Sequence, residues 1–491
     1  MHGNISALTS TISVAEEHSI REIEVPTRAL SRFESLIGAA RYGELRQAAA
    51  QASQLLEGLT VWNVSSTAAG GGVAEMLQVL VGYTLDADVD IRWLVMNGDP
   101  EFFSITKRIH NRLHGAAGDA GSLSASEQAI YTATTAANGS SAISRVRHSD
   151  VVLLHDPQTA GMAAHFAQVG ARVIWRCHIG RESRNEWTEE AWSFLRPHLA
   201  FCEAYIFSLR EYVPSWMESS KVRVIPPSID PFSPKNEDLS SIDVTRILRR
   251  IGLLEGGAED PTGGFIRGDG STGHVKRKAA IVSERGARLR ADVPLVVQVS
   301  RWDRLKDMAG VMRGFALSVV EGVDAQLALV GPSVADVADD PEGAEVFAEC
   351  MADWKELPIE VRRRVTLVTL PMDDVDENAV MVNAIQRYAT VIVQKSLAEG
   401  FGLTVAEGMW KAKAVVASSV GGITEQVAPG TGILLNDPTD LATFGDTLAK
   451  LLARPREIAS LGSSARQHVL EGFVGDKHLI LFAQLIAELS R

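Results

Sequence analysis

The sequence predicts an α/β protein made of two doubly wound, Rossmann-like domains, and three observations predict it. The first is length: 491 residues exceed what one hydrophobic core usually serves, so two domains, facing a central cleft, are expected. The second is a run of short apolar stretches rich in β-branched residues, alternating with helical stretches, the pattern of parallel sheets covered on both faces. The third is that this series occurs twice, with a proline-dense connector between.

The first series comprises VWNVSS at 61–66, IRWLVM at 91–96, VVLLH at 151–155, VIWRCH at 173–178 and AYIFS at 204–208. The connector is VIPPSIDPFSPKN at 224–236, where each proline fixes φ and biases its predecessor away from helix. It sets the expected domains at 1–226 and 227–475. The second series comprises PLVVQVS at 294–300, QLALVG at 326–331, VTLVTL at 365–370, TVIVQ at 390–394 and AVVAS at 414–418. Before it lies a Gly-rich basic stretch at 256–278, read as an insertion or flexible loop with solvated arginines and lysines. The segment FAQLIAELS reads as an amphipathic helix, and residues from about 476 to 491 are expected to pack back on the first domain.

Composition narrows the function. Hydrophobic residues make up 46% and charged residues 22%, the balance of a globular protein. A formal net charge of -13 argues against a nucleic-acid binder, whose affinity comes from clustered Lys and Arg. No apolar run approaches the roughly 20 residues that span a bilayer, and the opening residues lack a basic stretch followed by an apolar one. A cytoplasmic protein with no membrane partner is expected. Cys177, Cys202 and Cys350 form neither a disulfide framework nor a metal-like spacing.

Four stretches carry candidate chemistry. In SLAEGFGLTVAEGMWKAKAVV a strand ends, a glycine turn follows and a helix starts near Leu403 or Thr404. Gly400 and Gly402 allow close backbone approach, and free N–H groups at a helix start favour a phosphate. Glu399 precedes the turn and Glu407 lies within the helix, so the two carboxylates address different ends of one ligand. In VVQVSRWDRLKD, Arg301 and Lys306 follow a strand and suit a diphosphate leaving group, Arg as a planar fork and Lys as a point charge. In WNVSSTAAGGGVAEML a strand feeds the Gly70–Gly71–Gly72 turn. HDPQ at 155–158 and WRCHIG at 175–180 put Asp156 and His178 just past strand ends, where open α/β sheets bind ligands. Taken singly, such charges are ordinary surface residues; the sequence context decides.

Read together, these stretches resemble trehalose synthase of the glycosyltransferring type, in the retaining GT-B group that also contains sucrose, glycogen and sucrose-phosphate synthases. The resemblance is carried by GGGVAEML, GDPEFFSITKRIHNRLHG, HDPQ, VIWRCHI, YIFSLREYVP, IPPSIDPFSPKN, QVSRWDRLKD, ALVGP, DDPEG, VNAIQR and QKSLAEGFGLTVAEGMWKAKAVV. It implies transfer of glucose from a nucleoside-diphosphate glucose, UDP- or ADP-glucose, to glucose, giving trehalose with retention. It also implies that Arg301, Lys306, Glu399 and His178 are the catalytic set. Gly71, Gly72, Phe401, Gly402, Leu403 and Glu407 would bind the donor, Glu407 at the ribose, and Asp156 and Gly70 the acceptor. No cofactor and no metal are expected, because two cations and a helix start already face the diphosphate; the acidic DVD at 88–90 reads as surface charge. Partners are a sugar nucleotide and a sugar acceptor, with a homodimer left open.

Two positions depart from the family pattern. Gly180 stands where the family usually has Asp, and Asp307 where glycine is typical; the first removes an acceptor-side carboxylate. Two alternatives stay open: a retaining trehalose phosphorylase using inorganic phosphate, and a non-catalytic sugar-nucleotide binding or regulatory protein.

Overall fold

The computed structural model describes residues 20–68, 71–255, 264–320, 322–334 and 341–489. The chain divides into two compact units, Met1–Pro227 with Asp476–Arg491, and Ser228–Gly475.

The first unit is built on a seven-stranded sheet. Its strands are β1 (Arg21–Ile23), β2 (Val61–Ser65), β3 (Ile91–Val95), β4 (Val151–His155), β5 (Arg172–Cys177), β6 (Ala204–Phe207) and β7 (Val222–Val224), in the order β1-β3-β2-β4-β5-β6-β7. All neighbours are parallel except β1, which runs antiparallel to β3. Alternation along each strand separates two cores. Trp62, Val64, Val152, Leu154, Val173 and Trp175 pack on one face, and Val61, Val151, Leu153, Ile174 and Ile206 on the other. The helix Gly475–Leu489 closes the second face with Phe482, Leu485 and Ile486. It is anchored where the buried Asp476 carboxylate accepts from Arg41 at 2.7 Å.

The second unit carries another seven-stranded sheet. Its strands are β10 (Ala280–Val282), β11 (Leu295–Val299), β12 (Gln326–Pro332), β13 (Val365–Leu370), β14 (Val391–Gln394), β15 (Ala414–Ser418) and β16 (Ile433–Leu435), ordered β10-β13-β12-β11-β14-β15-β16. Only the β10 edge is antiparallel. The ten strands expected from apolar runs are all present. Strands β1, β7, β10 and β16 went unseen because three residues are too few to display a period.

Ahead of β10, β8 (Phe265–Ile266) and β9 (Thr272–Gly273) pair antiparallel. Residues 256–263 lie outside the described residues; in 264–278, Lys276 and Lys278 are exposed as expected, whereas Arg267 and Arg277 are paired with acidic side chains. Arg267 grips Asp374 with two bonds of 2.8 and 2.7 Å. The buried Glu377 carboxylate accepts from the amides of Lys276 and Arg277, each at 2.6 Å. Asp374 also caps the helix Val375–Tyr388. The Arg267 guanidinium holds the Asp374 carboxyl down at about 2. The clasp is therefore fully made above the ordinary carboxylate range near pH 4 and is lost as pH falls toward 2. At neutral pH, Asp374→Asn is expected to raise trypsin cleavage after Arg267 and Arg277 about tenfold, the opening expected for losing a bidentate pair worth ~1.4 kcal/mol. Unchanged cleavage would show that the ribbon is held by other contacts.

Candidate active site

In the second unit, β11 has β12 and β13 on one side and β14, β15 and β16 on the other. The chain reverses its winding between β11 and β14, the switch point at which open α/β sheets leave a crevice beyond their carboxyl ends. Arg301 and Lys306 follow β11; Glu399 and the glycine turn follow β14. Lys306 closes a short 3-10 turn, Arg304–Lys306, capped by Asp303 through the Leu305 amide at 2.8 Å. The Gln298 side chain donates to the Lys306 carbonyl at 2.7 Å, and the Leu397 amide to the Leu305 carbonyl at 2.7 Å. These bonds lock the two loops together.

The result is a charge pair: Lys306 Nζ lies 2.6 Å from Glu399 Oε2, with both side chains under one-fifth exposed. Ser396 Oγ donates to the same oxygen at 3.2 Å. Gln394 steadies the surroundings, donating to Ser396 Oγ at 2.9 Å and accepting from Thr404 Oγ1 at 2.8 Å. Arg301, by contrast, is half exposed, with its guanidinium 3.5 Å from Asp303. Gln394 and Ser396 escaped the sequence reading, although QKS directly past a strand end was the signal.

The turn after Glu399 depends on Gly402, whose φ of 81° and ψ of 54° are left-handed. A Cβ there would stand 3.0 Å from both Glu399 Cγ and Ile423 Cγ1, so backbone conformation and crowding both favour glycine. The helix Leu403–Trp410 starts at this point with no side chain capping it, the free-amide arrangement that suits an anion. Phe401 is buried and its carbonyl is held by Gln426. Glu407 sits on the buried side of the helix; its Oε1 lies 3.4 Å from Lys235 Nζ, while Oε2 is buried with no hydrogen-bond partner among the described residues. Lys235 was not foreseen, since nothing local links it to a residue 172 positions on.

Asp307, the second departure, has a left-handed backbone with φ of 46°. Its carboxylate does two things a glycine cannot: Oδ1 accepts from the Gly310 amide at 3.1 Å, and Oδ2 pairs with the fully buried Lys395. Lys395 supplies the reason for Asp at this position.

In the first unit the corresponding edge holds His155 at the end of β4, Asp156 next, and His178 just past β5. Asp156 adopts φ of 65° and accepts from the His178 amide at 2.8 Å. Burial raises its carboxyl to about 7, against the pull of that amide and of Arg176. His178 Nε2 lies 3.2 Å from His155 Nδ1, and His155 Nε2 lies 3.1 Å from Asn63 Oδ1. Gly71 and Gly72 stand at the start of the helix Gly72–Leu85; Gly70 lies outside the described residues. Asp90 of the DVD stretch accepts from Thr60 at 2.7 Å and Arg92 at 3.0 Å.

Gly180, the first departure, is filled by a neighbour. A Cβ there would stand 2.1 Å from Cγ of the buried Tyr212 ring. Gly180→Asp is therefore expected to destabilise the protein by about 1–3 kcal/mol through overpacking, read as a drop of several degrees in melting temperature. An unchanged melting curve would mean that Tyr212 moves freely aside.

Comparison with known proteins adds to this geometry. Residues 63–214 match the family described as "Trehalose synthase, N-terminal domain", and residues 284–468 that described as "Glycosyl transferases group 1". Trehalose synthase of Rubrobacter xylanophilus is 34% identical over 465 residues, covering 94% of this chain and 97% of the relative. Trehalose synthase of Pyrococcus horikoshii is 31% identical over 474 residues, covering 96% and 99%. The solved structure described as "Trehalose-6-phosphate from E. coli bound with UDP-2-fluoro glucose" is similar in fold, with a TM-score of 0.64 at 12% identity over 88% of this chain and 99% of that one.

Proposed function

Since the chain belongs to the trehalose synthase family of GT-B glycosyltransferases, we propose that it transfers glucose from a nucleoside-diphosphate glucose to glucose, forming α,α-trehalose with retention. The observation that carries this reading is the Lys306–Glu399 pair at 2.6 Å beside the Gly402 helix start, at the switch point of the second sheet. Leaving-group charge is the main chemical demand as the sugar becomes oxocarbenium-like.

The roles follow from position. Lys306 and Arg301 neutralise the diphosphate, together with amides at Gly402 and Leu403. Glu399, held by Lys306 and Ser396, takes hydrogen bonds from the donor hexose. Glu407, with one buried oxygen unpaired, accepts from the ribose. In the first unit, His178 and Asp156 serve the hexoses, with Gly71 and Gly72 beside the diphosphate. The bond from the donor anomeric carbon to the diphosphate oxygen breaks, and one from that carbon to the acceptor hydroxyl oxygen forms on the same face. The hydroxyl proton passes to the departing diphosphate. This chemistry asks for no cofactor.

The test is a product assay with UDP-glucose or ADP-glucose plus glucose. Trehalose and nucleoside diphosphate are expected in equal amounts, with trehalose cleaved by an α,α-specific trehalase. Phosphate-dependent release of glucose 1-phosphate from trehalose would favour the phosphorylase instead, an enzyme with no ribose for Glu407 to hold. Tight nucleotide binding without turnover on any acceptor would leave only the binding-protein reading.

A further inference from the structure

The face of the first sheet covered by the C-terminal helix carries buried polar side chains toward its carboxyl end. There three adjacent strands carry Asn63, His155 and Arg176, all at most 1% exposed. Arg176 is anchored away from the other two: it lies 3.0 Å from His478 Nε2, while His478 Nδ1 lies 3.0 Å from the Pro226 carbonyl. Since a carbonyl only accepts, His478 Nδ1 carries its hydrogen and Nε2 accepts from the guanidinium.

Asn63 and His155 form a chain that leads out to the proposed sugar site. Asn63 Oδ1 accepts only, so His155 Nε2 carries the hydrogen of their 3.1 Å bond. His155 Nδ1 is then a bare lone pair, and the 3.2 Å contact makes His178 Nε2 the donor. The two rings lie nearly parallel, 14° apart. Among the described residues His178 Nδ1 has no partner, and it is left as an acceptor. Burial pulls His155 down to about 3 and His178 well below its usual value, with Arg176 adding to both. Around the pair stand Arg176 on β5, His478 on the C-terminal helix and Asp156 after β4; with two of these cationic or donor-bearing, neither ring gains a proton near neutrality. Among the described residues Asn63 Nδ2 is buried with no protein partner.

We infer that Asn63 and His155 are positioning residues that fix the tautomer of His178, so that its Nδ1 accepts a hydrogen bond from a hexose hydroxyl. The hydroxyl contact rests on the glycosyl-transfer reading above; the tautomer does not.

The experiment uses full-length protein labelled with 15N at histidine, the His178 and His155 signals being identified by their loss in His178→Asn and His155→Phe. Expected are unprotonated, pyridine-type Nδ1 and protonated, pyrrole-type Nε2 resonances for both rings. A pyrrole-type Nδ1 on His178 overturns the inference, whatever the activity. Asn63→Leu is expected to average both rings between tautomers and to lower kcat about tenfold, the worth of one hydrogen bond made in the transition state, with the Kd for UDP unchanged. Unchanged 15N shifts or unchanged kcat in that variant also overturn it. If Asn63→Leu does not fold, the wild-type resonances decide alone. A wild-type protein that shows these tautomers yet makes no trehalose sinks the transferase reading and leaves the tautomer assignment standing.

Discussion

Lys306→Ala is expected to lower kcat for trehalose formation about 10²–10³-fold, the loss that follows removal of one preorganised group facing developing negative charge. The residue is held for that task at both its backbone and its side chain. Its carbonyl is tied to Gln298 at 2.7 Å and its ammonium to Glu399 at 2.6 Å, so little ordering remains to be done when the diphosphate departs. Lys306→Arg is expected to recover little, because a planar fork does not replace a point charge set against one carboxylate oxygen. Glu399→Gln is expected to cost a similar factor, and the double variant far less than the product of the two, since residues acting as one unit are not additive. The measurement is steady-state release of nucleoside diphosphate for the four variants. A Lys306→Ala enzyme within about threefold of wild type, on the same scale of transition-state loss, removes the electrostatic account of this site.

Asp307→Gly is expected to destabilise the protein, although it installs the family's usual residue at a left-handed position. Glycine relieves on the order of 1 kcal/mol of backbone strain at φ of 46°. Against that, Lys395 is 0% exposed, and stranding a buried charge costs about 3–5 kcal/mol. The Gly310 amide also loses its acceptor. The loss exceeds the gain by at least ~2 kcal/mol, visible as a lower midpoint in thermal or urea unfolding of the second unit. Asp307→Gly with Lys395→Met is expected to recover most of it, because no charge is then left unpaired. A single Asp307→Gly variant as stable as wild type would show that Lys395 finds another partner or gives up its proton.

Both experiments concern residues the sequence offered in different ways. Lys306 and Glu399 stood in recognisable stretches past predicted strands, and the structure places them in contact because both strand ends meet at the switch point. Asp307 stood out as a departure with no visible reason; that reason is Lys395, 88 positions on. Gly180 was legible as a missing carboxylate, while the ring that makes glycine necessary comes from Tyr212. The basic stretch before β10 looked solvated because its acidic partners, Asp374 and Glu377, lie about a hundred residues later.

Periodicity and motif by themselves determined the α/β class, the ten longer strands, the helix start at Leu403 and the family, because each is written in neighbouring residues whose spacing reports burial. Only the tertiary structure decided which charges are paired, which histidines stand in contact and why two positions break the family pattern. Those depend on side chains brought together by strand order, and contact between residues far apart in the chain leaves no local signal.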